Sequence, residues 1–519
     1  MFRFFNVENF RVFKGDKEFE FSGVNVITGK NSSGKSSVLK SLLLLKDNFI
    51  NNKFPTILNF DGGDHGLGSI KKTLCQFDGK HATKASFSWP AFTVDASYTP
   101  KIKMSYTVDK KDPDRGFVYA VEFYSVVRKE LIGIVEYQKG QKIHIMMKFD
   151  LLYEMLEGMM LPDHQKIIER SKRKSKGLDN SYDVLKKMGT YDDVYPIEYI
   201  DITYHEIYGE GDEDDGKLNL LHNADLWSVL EQYFKKKIGD DKVAIGLKNS
   251  LEFRFSTSFS DFLYHGYVHL PTIRGNQDRL HFDKYDKTPL GLLLKEFIKV
   301  DQEAKALGQS NPKKVDDFKK IKDYLNKWLI VFELGDDIKI KREYGSTTSV
   351  QLLNNNHWGD LSDLGFGSTQ LITILLQIYV FSCKKIIPEN PLSPYFVISI
   401  EEPEANLHPD FQSKLADMFY EGYELFGIHF ILETHSEYMI RKFQFIIANR
   451  GLEGNPGKKP ISDKFRIYYI NKLQKEKKDL TQIINLNPNE NGVFQDNFGE
   501  GFYDEATNTK FKILKATNK

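Results

Sequence analysis

Eight consecutive residues near the N-terminus, Gly29-Lys30-Asn31-Ser32-Ser33-Gly34-Lys35-Ser36, follow the spacing G-x-x-x-x-G-K-S. Glycines at those two places let backbone N–H groups close around phosphate oxygens. The Lys35 ammonium then reaches the β- and γ-phosphates, and the Ser36 hydroxyl ligates magnesium. Far downstream, Glu401-Glu402 supplies two adjacent carboxylates. Glu401 is placed to hold the magnesium shell, and Glu402 to orient or deprotonate an attacking water. His435, in Glu433-Thr434-His435-Ser436, is a neutral donor suited to sensing a γ-phosphate; alone it also fits a packed neighbour of a helix cap.

These groups need elements that bring them together. Val24 to Thr28 is a short β-branched run that reads as a buried strand leading into the glycine loop, with Val38, Leu39, Leu42 and Leu43 continuing as a helix. Phe396 to Ile400 is a second such run, ending at the paired acids, and Ile428 to Leu432 is a third, ending at Glu433. Acidic pairs at the end of a core strand cost desolvation unless a cation or water uses them, and ligands gather at the carboxyl ends of parallel strands. Leu361 to Gln370 leads into an apolar helix over Leu371 to Phe381; its small and hydroxyl residues fit either an anion site at the helix start or a plain cap.

Between the two ends, period-two alternation over Lys101–Val108, Phe117–Val127, Ile132–Gln138 and Lys142–Phe149 predicts an antiparallel β lobe. Residues 163–240 and 286–332 read as mainly helical, with Leu290–Val300 and Phe318–Leu329 the best-patterned pieces. No heptad repeat is sustained, so a compact insertion is expected, not a coiled-coil arm. The basic run Lys166, Arg170, Lys172, Arg173, Lys174 and Lys176 fits either a grip on DNA or RNA phosphates or a solvated face. Glu210 to Asp215 reads as a partner-facing or disordered acidic loop.

Composition narrows the classes further. The 519 residues are 40% hydrophobic, 28% charged and 13% aromatic, which is globular composition with room for about three domains. Charge balances, 72 Lys+Arg against 72 Asp+Glu, so no global field favours nucleic acid or an anionic membrane. Two cysteines exclude a disulfide framework and fit a reducing compartment. Without a signal-peptide pattern at the start, and with apolar stretches short of a membrane span, a soluble cytoplasmic protein with no membrane contact is expected.

Taken together, these segments resemble an ABC-type ATPase head of the RecF/SMC class, with the OLD-like AAA ATPases of bacterial anti-phage systems such as Septu and PARIS the most similar in motif. Asn9-Phe10-Arg11 is similar to the family's N-terminal Asn-Phe-Arg, Gly29 to Ser36 to Walker A, and Phe396 to Glu402 to Walker B. Phe366-Gly367-Ser368-Thr369-Gln370 resembles the signature motif, Ala405 to Pro409 the D-loop, His435 the switch histidine, and His269 to Gly275 the Pro-x-x-Arg-Gly segment of the same ATPases. The resemblance implies ATP and Mg2+ as cofactors. It implies nucleotide contacts from Arg11, Asn31, Ser32, Ser33, Gly34, Lys35, Ser36, Ser37, Gly367, Ser368, Gln370 and Asn406, with Ser368 acting on the opposite subunit; catalysis by Lys35, Glu402 and His435; and metal ligation by Ser36 and Glu401.

The implied fold is α/β, a split P-loop head with a mixed sheet and an antiparallel β lobe, interrupted by a helical insertion. Expected boundaries are 1–160 for the N-terminal half-head, 161–345 for the insertion with its return to the lobe, and 346–519 for the C-terminal half-head. Departures from the family pattern are Glu401 in place of an aspartate and Gly367-Ser368-Thr369-Gln370 in place of Ser-Gly-Gly-Gln. No Asp-x-Asp motif follows Ser436, so a TOPRIM nuclease is not expected. The implied function is a dimeric or higher-order ATPase that senses or scaffolds within a defence complex and controls a separate nuclease or toxin. The rivals are a RecF-like ATP-gated clamp on DNA and a scaffold that binds ATP without turning it over.

Overall fold

The computed structural model describes residues 3–51, 56–77, 80–90, 100–108, 112–137, 142–149, 151–152, 200–203, 225–272, 289–310, 312–343, 347–361, 365–387, 395–452, 461–472, 481–494, 496 and 504–517. The basic run at 166–176, the acidic run at 210–215 and residues 273–275 lie outside this part. The chain forms two compact units, one from Met1–Phe21 and Ser37–His265, the other from Ser22–Ser36 and Gly266–Lys519.

The second unit is built on a six-stranded sheet in the order Tyr267–Leu270, Phe396–Glu401, Ile428–Glu433, Val24–Gly29, Phe465–Ile470 and Ile483–Asn485. The first five strands are mutually parallel and the last pair is antiparallel. Strands covered on both faces have no polar side to alternate with, which is why three of them read as continuous apolar runs. Register places Glu401 opposite Glu433, and Glu433 opposite Ile27, so the acidic strand ends and the glycine loop emerge at one carboxyl edge.

Against this sheet lies the helix Phe366–Ile386, buried without a break from Thr369 to Cys383. Among the described residues it alone is long and apolar enough to cross a membrane, yet 83% of its apolar window is buried inside the protein, the mark of a core helix. Two helices that start at proline, Pro289–Ser310 and Pro312–Val331, pack on it, with Phe297 and Tyr379 rings 4.9 Å apart. The helix Pro409–Phe426 also opens on proline and stops at Gly427, whose φ of 59° is the left-handed end that glycine allows.

The first unit carries a nine-stranded antiparallel sheet whose main path is Ile200–Thr203, Lys142–Met147, Glu130–Tyr137, Arg115–Ser125, Pro100–Val108, Lys84–Pro90, Phe4–Glu8 and Asp16–Glu20. All four strands expected from alternation are present, within two or three residues at each end. Trp89 stacks on Phe259 at 4.6 Å behind the sheet. A cleft of about 760 Å³ in this unit is lined by Glu8, Lys84, Lys103, Tyr119, Glu122 and neighbouring residues. Both sheets together give the mixed α/β fold with an antiparallel lobe. Of the two stretches read as mainly helical, 286–332 is helical in its described part, and 163–240 holds the helix Leu226–Ile238 but also the strand Ile200–Thr203, which pairs with Lys142–Met147 as the edge of the lobe sheet. Packing nevertheless groups the described residues of 266–345 with the P-loop and the C-terminal segments, because Tyr267–Leu270 pairs with Phe396–Glu401.

Candidate functional site

Every strand residue from Val24 to Gly29 is buried, and the loop leaves the sheet through a left-handed turn. Gly29 has φ 143°, and a Cβ there would stand 2.3 Å from the Ile470 carbonyl oxygen, so no other residue fits without moving the neighbouring strand. Ser32 (φ 59°) and Gly34 (φ 113°) complete the coil of the loop. Lys35 Nζ donates to the Gly29 and Lys30 carbonyls at 3.2 and 3.1 Å, inside the curve where phosphate oxygens would sit. Burial lowers its pKa, opposed by the charges of Glu433, Glu402 and Glu404. Thr28 Oγ1 and Ser33 Oγ are buried with no hydrogen-bond partner, two polar atoms left open at the same loop.

Ser36 heads the helix Lys35–Asn51 and donates its hydroxyl to Glu433 Oε1 at 2.8 Å. Glu433 is 5% exposed; burial pushes its pKa up to about 7, with Glu401 and Glu402 adding to the rise and Ser36 and Lys35 opposing it. Its second oxygen is buried and unpartnered. Across the sheet edge, Glu401 Oε2 accepts from Thr272 Oγ1 at 3.3 Å, and its Oε1 lies 3.7 Å from His269 Nε2. Glu402 turns out of the strand with φ 45°, a strained conformation for a residue with a side chain, held by its N–H donating to the Glu433 carbonyl at 2.7 Å.

Glu404 Oε1 accepts from the His435 backbone N–H at 2.7 Å, while its Oε2 is buried without a partner and burial raises its pKa. His435 itself is exposed; desolvation by the surrounding protein and the nearby Lys35 lower its pKa, with Glu402 opposing, so the ring is neutral at neutral pH. Lys35, Ser36, Glu401, Glu402 and His435 are therefore gathered at one edge, as the motif spacing requires.

The remaining candidates divide between the loop, its helix and other parts of the chain. Gly367 and Ser368 occupy the half-exposed first turn of the helix Phe366–Ile386. A Cβ at Gly367 would come 2.7 Å from the Asn406 carbonyl oxygen, so the signature segment and the D-loop abut within this chain; Asn406 has φ 61°. Gln370 is turned inward, 1% exposed, donating to the Thr272 carbonyl at 2.9 Å. Asn31 lies exposed in the loop, and Ser37 is buried in the following helix. Arg11 belongs to the other unit, half-buried in a turn at φ 52°, its pKa lowered by burial.

Sequence reasoning assigned no role to Glu433 or Glu404, and it marked His269 to Gly275 by resemblance alone, without a role. The signal for Glu433 was present: it ends a continuous apolar strand in the same way as Glu401. The carboxylates, the Ser36 hydroxyl and the Lys35 ammonium suit a nucleotide triphosphate with magnesium, an ion that takes one or two carboxylates and fills its shell with phosphate oxygens and waters. The open Ser33 and Glu433 oxygens are what such a ligand would satisfy.

A family model described as AAA ATPase domain matches residues 1–440. No curated protein matches the chain. Among solved structures, an SMC head bound to the C-terminal winged-helix domain of ScpA is 10% identical over 94% of this chain and 97% of that one, with a TM-score of 0.44. The Pyrococcus furiosus SMC head with an extended coiled coil, bound to the C-terminal domain of ScpA, is 11% identical over 100% and 99%, with a TM-score of 0.39. The Thermotoga maritima SMC head domain is 11% identical over 93% and 98%, with a TM-score of 0.33.

Proposed function

The chain belongs to the AAA ATPase domain family, and on that premise we propose that it binds ATP with magnesium and hydrolyses it at the carboxyl edge of the parallel sheet. The observation that carries this reading is the convergence of the Lys35 ammonium and the Ser36 hydroxyl with Glu401, Glu402 and Glu433. When bound, magnesium supplies charge neutralisation across the transferring phosphoryl group. Ser36 and Glu401 would hold it. Lys35 exchanges its loop carbonyls for phosphate oxygens, Glu402 orients the attacking water and accepts its proton, and neutral His435 donates a hydrogen bond to the γ-phosphate. Lys35→Ala is expected to abolish ATP binding, and Glu402→Gln to keep binding while hydrolysis falls about 100-fold or more; equal hydrolysis by wild type and Glu402→Gln would refute the assignment.

The same reading extends to assembly. Gly367 and Ser368, on a half-exposed turn beside the exposed Phe366, and the exposed Asn406 next to them complete the site of a second copy, giving a homodimer or higher oligomer in the cytoplasm. Its setting is a bacterial anti-phage complex in which the ATPase senses or scaffolds and a separate nuclease or toxin acts. This rests on motif resemblance, and its test is recovery of Glu402→Gln protein with ATP and magnesium from its native host. A co-purifying nuclease or toxin supports it; a homodimer carrying DNA alone favours the clamp.

A further inference from the structure

The strand Tyr267–Leu270 and the turn that follows it put three polar side chains on the Glu401 strand. Tyr267 Oη lies 2.8 Å from Ser399 Oγ, Ser399 Oγ lies 3.0 Å from His269 Nδ1, and His269 Nε2 lies 3.7 Å from Glu401 Oε1. From the other side, Thr272 Oγ1 donates to Glu401 Oε2 at 3.3 Å. Gln370, in the first turns of the helix Phe366–Ile386, fixes that turn by donating to the Thr272 carbonyl at 2.9 Å. Both oxygens of one carboxylate thus face a separate side chain from the neighbouring strand's end.

We propose that His269 and Thr272 are positioning residues that aim the Glu401 carboxylate, with Gln370 locking their segment to the first turns of the signature helix. This deepens the ATPase reading and rests on it. His269 Nδ1 faces Ser399 Oγ, which also donates toward the Val268 carbonyl at 3.4 Å, and His269 Nε2 faces Glu401 Oε1. Residues one step behind a metal ligand set its orientation, and their loss costs 10- to 100-fold in metal affinity or activity. The parallel pairing Leu270↔Ile400 delivers them, so the distance in sequence hides the relation.

The test is a magnesium titration of full-length protein, read in two ways: binding of a fluorescent ATP analogue, and ATP hydrolysis at saturating nucleotide. Thr272→Val and His269→Phe are expected to raise the magnesium concentration for half-maximal binding about 10-fold. Melting temperatures should stay near wild type, and Thr272→Ser should restore the wild-type value. If Thr272→Val does not fold, Thr272→Ala and His269→Gln provide the same comparison. Unchanged magnesium dependence in folded variants, with a wild type that binds and hydrolyses ATP, overturns the positioning role alone. A wild type that binds no nucleotide at any magnesium concentration overturns the ATPase reading and the proposal together.

Discussion

Two places in this chain collect charged side chains, and they treat them differently. In the lobe cleft the charges are answered: Lys103 bonds Glu8 at 2.8 Å and lies 3.9 Å from Glu122, and its pKa is raised by the Glu8 hydrogen bond and charge against the cost of burial. At the carboxyl edge of the parallel sheet they are answered only in part. Glu433 and Glu404 each keep a buried oxygen without a partner, Lys35 rests on backbone carbonyls, and Glu402 sits in a strained turn. A satisfied ion pair lowers the free energy of the fold; buried polar atoms left open raise it unless a ligand answers them. The edge is where chemistry is expected.

That contrast can be broken most forcefully at the loop. Gly29→Ala is expected to cost several kcal/mol or prevent folding, since a Cβ meets backbone at 2.3 Å and φ is positive, and a chemical denaturation midpoint measures it. At the edge, Glu433→Gln removes a buried charge. The expected outcome is an unchanged or higher melting temperature together with roughly 10-fold slower hydrolysis in a steady-state assay. In the cleft, Glu8→Gln should do the reverse, losing about 1 kcal/mol or less in thermal stability while the turnover rate holds. Loss of stability at both places, or of activity at both, would erase the distinction.

A further expected effect concerns a partly buried histidine away from the acids. His429 donates from Nδ1 to the Ser22 carbonyl at 2.8 Å, and burial drives its pKa down to about 4. The unfolded chain therefore takes up a proton near pH 6.5 that the folded chain refuses, so stability falls as pH drops from about 6.5 to 4, by up to about 3 kcal/mol. His429→Asn should flatten the dependence of the melting temperature on pH across that window; an unchanged slope would assign the dependence to other groups.

How much of this was legible depends on the range of the physics. The strands Val24–Gly29, Phe396–Glu401 and Ile428–Glu433 announce themselves because burial on both faces demands continuous apolar runs, and the lobe strands because burial on one face demands alternation. The long helix reads too short, as 371–381 instead of Phe366–Ile386, because its ends carry Gly367, Ser368 and two lysines that break the apolar pattern. The role of the Thr272 turn stays hidden because it arises from strand order: Tyr267–Leu270 beside Phe396–Glu401 is a relation across well over a hundred residues that no local pattern encodes. The motif residues were readable because phosphate chemistry fixes their spacing within one loop.

The most direct test of the account is single-turnover hydrolysis of ATP by wild-type and Glu402→Gln protein, with ATP binding measured on the same samples. The account predicts ADP formation by wild type, and by the variant tight ATP binding with hydrolysis slowed about 100-fold or more. Equal rates for the two proteins, or an absence of ATP binding by both, would contradict it.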